Sequence, residues 1–194
     1  MDASAREAGC GCEIEMRNFE RNAIFIDGAN LNMAVSCLGI DLDYGRFLRL
    51  LRGQASSTQA FYYAAVTDAQ ADGTIHRLTD WLGHNGYIVV TKQIAESIDR
   101  FGRRRARGSI DVDLAVAALA MADRVDAVTL VSGNGAYRSL IEAVQRKGVR
   151  VSVVSTIRTQ PPIIAEELRR QADDFVDIDD LAEKIRRVRV DTVG

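Results

Sequence analysis

The chain has 194 residues, 47% of them hydrophobic, which suits one folded domain with short tails. Its 25 basic and 27 acidic residues give a formal charge of -2, which excludes a globally basic nucleic-acid-binding protein, so any such surface must be local. The first twenty residues lack an apolar run of signal-peptide length, and no stretch approaches the roughly 20 apolar residues of a membrane span. Three cysteines, Cys10, Cys12 and Cys37, are too few for a disulfide framework. We therefore expect a cytoplasmic protein without membrane contact, with Cys37 as a small buried side chain.

Short β-branched or aromatic runs alternate with segments of helical spacing. Strands are predicted at 23–26, 60–66, 87–90, 127–131 and 149–154, and each is continuously apolar, which indicates burial on both faces. Helices are predicted at 44–52, 74–86, 111–125, 139–148 and 163–172, followed by a short FVDI strand and a charged helix from about Asp179. The second helix carries an apolar stripe that includes Trp81, and the third is apolar nearly all round, as expected of a helix packed deep against a sheet.

This alternation predicts an α/β protein, a three-layer Rossmann-like sandwich with a central, mainly parallel sheet and right-handed crossovers. We expect a flexible N-terminal tail over residues 1–21, one folded domain over 22–180, and a C-terminal helix or tail over 181–194. In such sheets, ligands bind beyond the carboxyl ends of the strands.

Polar residues gather where the predicted strands end. The first strand runs into Asp27-Gly28-Ala29-Asn30, in which the acid and the amide are placed either to hold a hard cation or to cap the next helix. Asp111 and Asp113 open the apolar helix, whose dipole alone would favour negative charge there. Asp111 is the better candidate metal ligand of the two, because the apolar helix would hold its first turn against the sheet.

The stretch VSGNGAY, residues 131–137, is typical of a buried strand that runs into a tight turn. Ser132 is placed either to cap the following helix or to bind a phosphate. Arg138 is either a contact for an anionic ligand or a solvated surface arginine.

The three segments FIDGANL, GSIDVDLAV and VSGNGAYRSLIEAVQRKGVRVSVV resemble the NYN domain family, in its LabA-like branch, which has a PIN-like nuclease fold. The likeness runs from about residue 22 to 180. It implies a single PIN-like domain with an acidic pocket that binds Mg²⁺ or Mn²⁺ and, in active members, hydrolyses RNA phosphodiester bonds. The resemblance assigns Asp27 and Asp111 as metal ligands and catalytic acids, with Asn30 as the accompanying catalytic amide.

The later family motif usually reads SGDGDF, whereas this chain has Ser132-Gly133-Asn134-Gly135-Ala136-Tyr137. Asn134 and Ala136 therefore replace two acids, and Ala117 stands where close relatives often place another aspartate. Loss of carboxylates weakens the hold on a strongly hydrated ion, so we expect weakened or abolished hydrolysis. The resemblance thus leaves open whether the protein is an enzyme and whether it binds a metal at all.

A basic run, DRFGRRRARGS, precedes Asp111 and contains Arg103, Arg104, Arg105 and Arg107. With Arg158, it offers a local surface for RNA phosphates at the rim of the pocket, although a basic loop is often only solvated. Two hypotheses remain: a metal-dependent ribonuclease with a degenerate site, or a catalytically inert scaffold or regulator that binds RNA or a protein partner, including a second copy of the chain.

Overall fold

The structure is a computed structural model that describes residues 20–66, 73–98, 104–107 and 109–188. The described strands are β1 (Arg21–Asp27), β2 (Ser57–Val66), β3 (Ile88–Gln93), β4 (Ala95–Ile98), β5 (Arg104–Arg107), β6 (Ala127–Val131), β7 (Arg150–Ser155) and β8 (Asp174–Asp177). The described helices are α1 (Gly28–Cys37), α2 (Tyr44–Arg52), α3 (Thr74–His84), α4 (Asp111–Met121), α5 (Arg138–Gln145), α6 (Glu166–Gln171) and α7 (Ala182–Ile185). Single 3₁₀ turns precede α5 and α7, at Gly135–Tyr137 and Asp179–Leu181.

Six strands form one sheet in the order β3-β2-β1-β6-β7-β8, and every neighbouring pair is parallel. The predicted α/β class and parallel sheet are confirmed. The strands β4 and β5 form a separate antiparallel pair, which was not predicted, because the dense positive charge of that segment gives no apolar pattern typical of a strand.

Two apolar clusters cover the two faces of the sheet. The strand β1 shows why, because Ile24 and Ile26 belong to one cluster while Ala23 and Phe25 belong to the other. The first cluster packs α1, α2, α3 and α7 against the sheet, and the second packs α4, α5 and α6. The result is the predicted three-layer sandwich. Both α7 and the 3₁₀ turn before it contribute to the core of the domain, since Leu181 and Ile185 are buried in the first cluster.

Several predicted burial patterns are wrong. The edge strand β3 is exposed on part of its surface, because no strand of the described sheet pairs beyond it. In α4, Leu114 and Ala118 are fully buried, but Val112 and Val116 are 67% and 64% exposed, so the helix buries only one face. Trp81 is 44% exposed, and Cys37, at the end of α1, is also exposed. A helix covered by one sheet has room for one buried stripe, whatever the hydrophobicity of its other positions.

Among the described residues, no helix has both the length and the apolar character needed to cross a membrane.

The two faces of α4 should respond differently to truncation. Leu114→Ala opens a cavity in the second cluster and should lower the free energy of unfolding by about 2–5 kcal/mol. Val116→Ala, on the exposed face of the same helix, should change it by no more than about 0.5 kcal/mol. Chemical denaturation of both variants measures the difference, and equal losses would show that α4 buries both faces.

Candidate functional site at the carboxyl edge of the sheet

The strands β1 and β6 are neighbours, and Ile26 pairs with Val131, so the residues that follow them meet at the same edge of the sheet. Ser132 Oγ donates a hydrogen bond to Asp27 Oδ2 at 3.1 Å. The other oxygen of Asp27 accepts the backbone N–H of Asn30 at 3.1 Å and thereby caps α1. Asp27 therefore both caps a helix and faces the neighbouring turn, so the two sequence interpretations of this residue are compatible.

Asn30 joins the residues that follow β1 to the turn that follows β6. Its side-chain carbonyl accepts the backbone N–H of Gly133 at 2.8 Å. A Cβ at Gly133 would lie 2.5 Å from the carbonyl oxygen of Ile163, and one at Gly28 would lie 2.7 Å from the ring of Tyr62. Both positions therefore require glycine, because neighbouring atoms fill the space that a side chain would need.

Asp111 completes the site from the first turn of α4. Its backbone N–H donates to Ser109 Oγ at 2.9 Å, which fixes the start of the helix. Its carboxylate accepts two side-chain donors, the Tyr137 hydroxyl at 3.0 Å and the Asn134 side-chain N–H at 3.3 Å. Asp27, Asn30 and Asp111 thus surround the Ser132–Tyr137 turn, which the sequence assigned to the same site.

The orientation of the Asn134 amide follows from a second contact. Its oxygen accepts the backbone N–H of Ala136 at 3.0 Å and caps the 3₁₀ turn. Because the oxygen is occupied in this way, the NH₂ group is the end that faces Asp111. Asn134 therefore presents a hydrogen-bond donor where an aspartate would present a second negative charge.

Burial is the main influence on the ionisation of Asp27. It raises the pKa of this carboxyl group, and the charge of Asp111 raises it further, while the hydrogen bonds from Asn30 and Ser132 act in the opposite direction. Burial, followed by the charges of Asp27 and Asp111, also raises the pKa of the Tyr137 hydroxyl. Tyr137 consequently stays protonated and remains a donor to Asp111.

The donor set does not fit a tightly held Mg²⁺ or Mn²⁺ ion. Within the described ranges, no three His, Cys, Asp or Glu side chains converge as a metal site would require. All four carboxylate oxygens of Asp27 and Asp111 accept a protein hydrogen bond. Ala136 is exposed and offers no ligand, and Ala117 packs against the second apolar cluster. The site satisfies its two acids with hydrogen-bond donors of the chain itself.

The residues expected to bind phosphate are more scattered. Ser132 lies in the site, but its hydroxyl donates to Asp27 and accepts the Asn134 backbone N–H. Arg138 is exposed and lies 4.0 Å from Glu142, and Arg158 pairs with Asp180 at 3.3 Å. Arg103 lies outside the described residues, and Arg104, Arg105 and Arg107 belong to β5, whose chain reaches Asp111 after a few residues.

Asp113, which also opens α4, is bound to Lys92 at 2.6 Å. This ion pair holds the Asp113 carboxylate on the surface between α4 and β3. The favourable effect of negative charge at a helix N-terminus is enough to explain an acid at this position.

Tyr137 is the residue of the candidate site that the sequence did not single out. It is 2% exposed, and its hydroxyl reaches a carboxylate 26 positions earlier in the chain. The available signal was the tyrosine that stands at the phenylalanine position of the SGDGDF motif. A hydroxyl added at a buried position needs a partner, and the nearby acid provides it.

The comparisons with known proteins agree with this architecture. Residues 21–179 match the NYN domain family. The chain is 30% identical over 171 residues to the low amplitude and bright protein LabA of Synechococcus elongatus, covering 86% of this chain and 88% of that protein. The crystal structure of a protein of unknown function from Vibrio parahaemolyticus superimposes with a TM-score of 0.71 at 27% identity, covering 88% of this chain and 98% of the other. Together with the parallel sheet and the acids Asp27 and Asp111 at its carboxyl edge, these matches show that the chain belongs to the NYN domain family.

Proposed function

We propose that this NYN-domain protein binds RNA at the carboxyl edge of its sheet and hydrolyses phosphodiester bonds weakly or not at all. The observation that carries the proposal is the hydrogen bond from the Asn134 amide to Asp111. It supplies, from within the chain, the positive partner that a divalent cation would supply in a more acidic pocket.

The effect of Asn134 on cation binding is electrostatic. Two carboxylates at positions 111 and 134 would lie about as close as the present 3.3 Å contact, and their repulsion would favour either a bound cation or a raised pKa. The neutral amide removes that repulsion and adds an attraction. The hydroxyl of Tyr137 stabilises Asp111 further, so the free energy gained on binding a cation falls.

Asp27 supports a role in binding rather than in folding alone. A buried acid with a raised pKa costs stability when it is ionised, and an uncharged residue could cap α1 equally well. Groups that cost stability in a concave, polar part of a protein are candidates for function. If hydrolysis persists, Asp27 and Asp111 are the residues that would hold Mg²⁺ or Mn²⁺, with Asn30 beside them; the ion would polarise the phosphate and supply hydroxide.

RNA contacts in this proposal come from Arg103, Arg104, Arg105 and Arg107, in the basic run that precedes Asp111 in the sequence, and from Arg138 and Arg158. Such residues bind phosphates without reading bases, so we expect little sequence preference. A cytoplasmic location is part of the same proposal, because RNA and a reducing environment are both present there.

The second candidate is a scaffold or regulator without any catalysis, which binds RNA or a protein partner. It is favoured by the lack of a third acidic, histidine or cysteine ligand among the described residues. The two candidates differ in one measurable property, which is metal-dependent cleavage.

Restoring the acids should restore metal binding. In Asn134→Asp with Ala136→Asp, the carboxylates repel one another until a cation binds, so the affinity for Mn²⁺ should rise at least about tenfold. Isothermal titration with Mn²⁺ measures this, and an RNA cleavage assay on both proteins shows whether hydrolysis returns with the metal.

Val116→Asp is the matched control, since it adds a negative charge at an exposed position of α4 and should leave Mn²⁺ binding unchanged. Metal-dependent cleavage by the unaltered protein that is as fast as cleavage by the Asn134→Asp, Ala136→Asp variant, and that Asp27→Ala abolishes, would contradict the proposal, because other groups would then complete the site.

The stability of the fold should depend on pH through Asp27. The folded-state pKa of Asp27 lies above its unfolded value, so the unfolded chain loses this proton first and stability falls as the pH rises from about 4 through the folded pKa. Asp27→Asn cannot ionise and keeps an oxygen for the Asn30 N–H. The variant should therefore be more stable than the unaltered protein at pH 7, and the difference should shrink toward pH 4. Thermal unfolding at several pH values measures this, and a variant that is less stable throughout would show that the ionised form of Asp27 stabilises the fold.

A further inference from the structure

The helical layer that contains α2, α3 and α7 carries an exposed aromatic ring beside cations. Trp81 of α3 is 44% exposed, although it lies on the stripe that buries Leu78 and Leu82. Gly45 of α2 lies close to both Trp81 and Arg49. A Cβ added to this glycine would lie 3.9 Å from the Trp81 ring and 3.6 Å from the guanidinium of Arg49. The ring and the guanidinium therefore lie on the same part of the surface, together with the Asp43 carboxylate, whose Oδ1 would be 3.2 Å from that Cβ.

More cations surround this pair. Arg77 lies one helical turn before Trp81, on the same side of α3. Arg46, Arg49, Leu50 and Lys184 line a concavity of about 440 Å³ between α2 and α7. We call Arg46, Arg49, Arg77, Trp81 and Lys184 the α2–α3 cationic surface.

The cations of this surface differ from most others in the described ranges. Elsewhere Arg21, Lys92, Arg146, Lys147, Arg150 and Arg169 each form an ion pair with a carboxylate within 3.0 Å. Among the described residues, no carboxylate lies within ion-pair distance of Arg49, Arg77 or Lys184, and Arg46 reaches Asp43 only at 3.7 Å. In a chain of formal charge -2, unpaired cations concentrated on one surface are available to an anionic partner.

The combination favours one class of partner. Phosphates along a flexible strand are neutralised by spaced arginine and lysine side chains, and an exposed aromatic ring stacks on an unpaired base. An acidic peptide would engage the cations but would leave the face of Trp81 without a counterpart. The acidic carboxyl edge lies elsewhere, since Asp27 and Asp111 project from strand and helix ends rather than from the outer faces of α2 and α3.

We propose that the α2–α3 cationic surface binds single-stranded RNA, with the phosphates on Arg49, Arg77 and Lys184 and a base stacked on Trp81. The inference rests on the proposed RNA-binding function and adds a second contact surface to it. It predicts that RNA binding does not require the acids of the carboxyl edge.

Trp81 is the chain's only tryptophan, so its fluorescence reports on this surface alone. An oligouridylate of about 12 nucleotides should quench its emission, whereas an abasic strand of the same length should bind with little quenching. Trp81→Ala should weaken binding at least about fivefold, and Trp81→Phe, which keeps a ring, should weaken it less.

Charge is tested separately. Arg49→Gln with Lys184→Gln should lower the slope of log affinity against log salt by about 1.4, which corresponds to two lost phosphate contacts on a single strand. Arg146→Gln with Lys147→Gln is the matched control, because those cations are paired with Glu142 and Asp123 on the opposite helical layer, and its slope should not change.

Three results would overturn the inference. Oligouridylate that binds without changing Trp81 emission, and equally well to the Arg49→Gln, Lys184→Gln variant, would place RNA elsewhere and leave the proposed function intact. Polyglutamate that binds as tightly as oligouridylate would identify an acidic peptide as the partner. Failure of oligouridylate to bind at all would overturn both this surface and the RNA-binding part of the proposed function.

Discussion

The carboxylate of Asp27 is the constraint on which the carboxyl edge depends. One of its oxygens caps α1, and the other accepts the hydroxyl of Ser132 beyond the neighbouring strand β6. Asn30, held by that cap, in turn accepts the N–H of Gly133. The ends of two parallel strands are therefore joined by two hydrogen bonds, both donated by the residues that follow β6. The close approach of Gly133 to Ile163 extends the connection to the segment after β7. An ionised carboxylate accepts one donor on each oxygen and also carries a negative charge. The same residue therefore holds the strand ends together and gives the site a charge that suits a cation.

Only a few atoms distinguish this site from one with an aspartate at position 134 and a phenylalanine at position 137. Replacing a carboxylate oxygen by an NH₂ group at position 134 turns a repulsive contact with Asp111 into a hydrogen bond, while the other end of the amide still caps the 3₁₀ turn. A hydroxyl on the buried ring at position 137 satisfies the remaining oxygen of Asp111. Cation binding at such a site depends on the charge balance of a few side chains, which can vary while the architecture stays the same.

The fold was predictable from the sequence to the extent that it depends on local pattern. Continuous apolar strands separated by helical segments determine a parallel sheet, and β6 occupies the residues that were predicted for it. Burial was predicted less well, because an apolar residue such as Val116 or Trp81 has the same hydrophobicity whether or not a neighbour covers it. Within the site, Asp27 was predicted from its position after a strand, and Asp111 from its position at the start of the apolar helix. The bond between Tyr137 and Asp111 was not, because it joins residues 26 positions apart whose geometry depends on the packing of α4 and α5.

The acids of the carboxyl edge do not by themselves account for an attraction between this protein and RNA. Asp27 and Asp111 face any phosphate that enters the carboxyl edge, and without a bound cation they repel it. If this chain binds no metal, as proposed, it also lacks the attraction for RNA that a bound cation would add. Arg49, Arg77 and Lys184 lie on the outer side of another layer, where no described carboxylate neutralises them. A cationic surface with an exposed tryptophan would keep RNA bound without a divalent ion. If the proposed function holds, Asn134 and Ala136 at the carboxyl edge and the cations of α2, α3 and α7 would together favour holding RNA over cutting it.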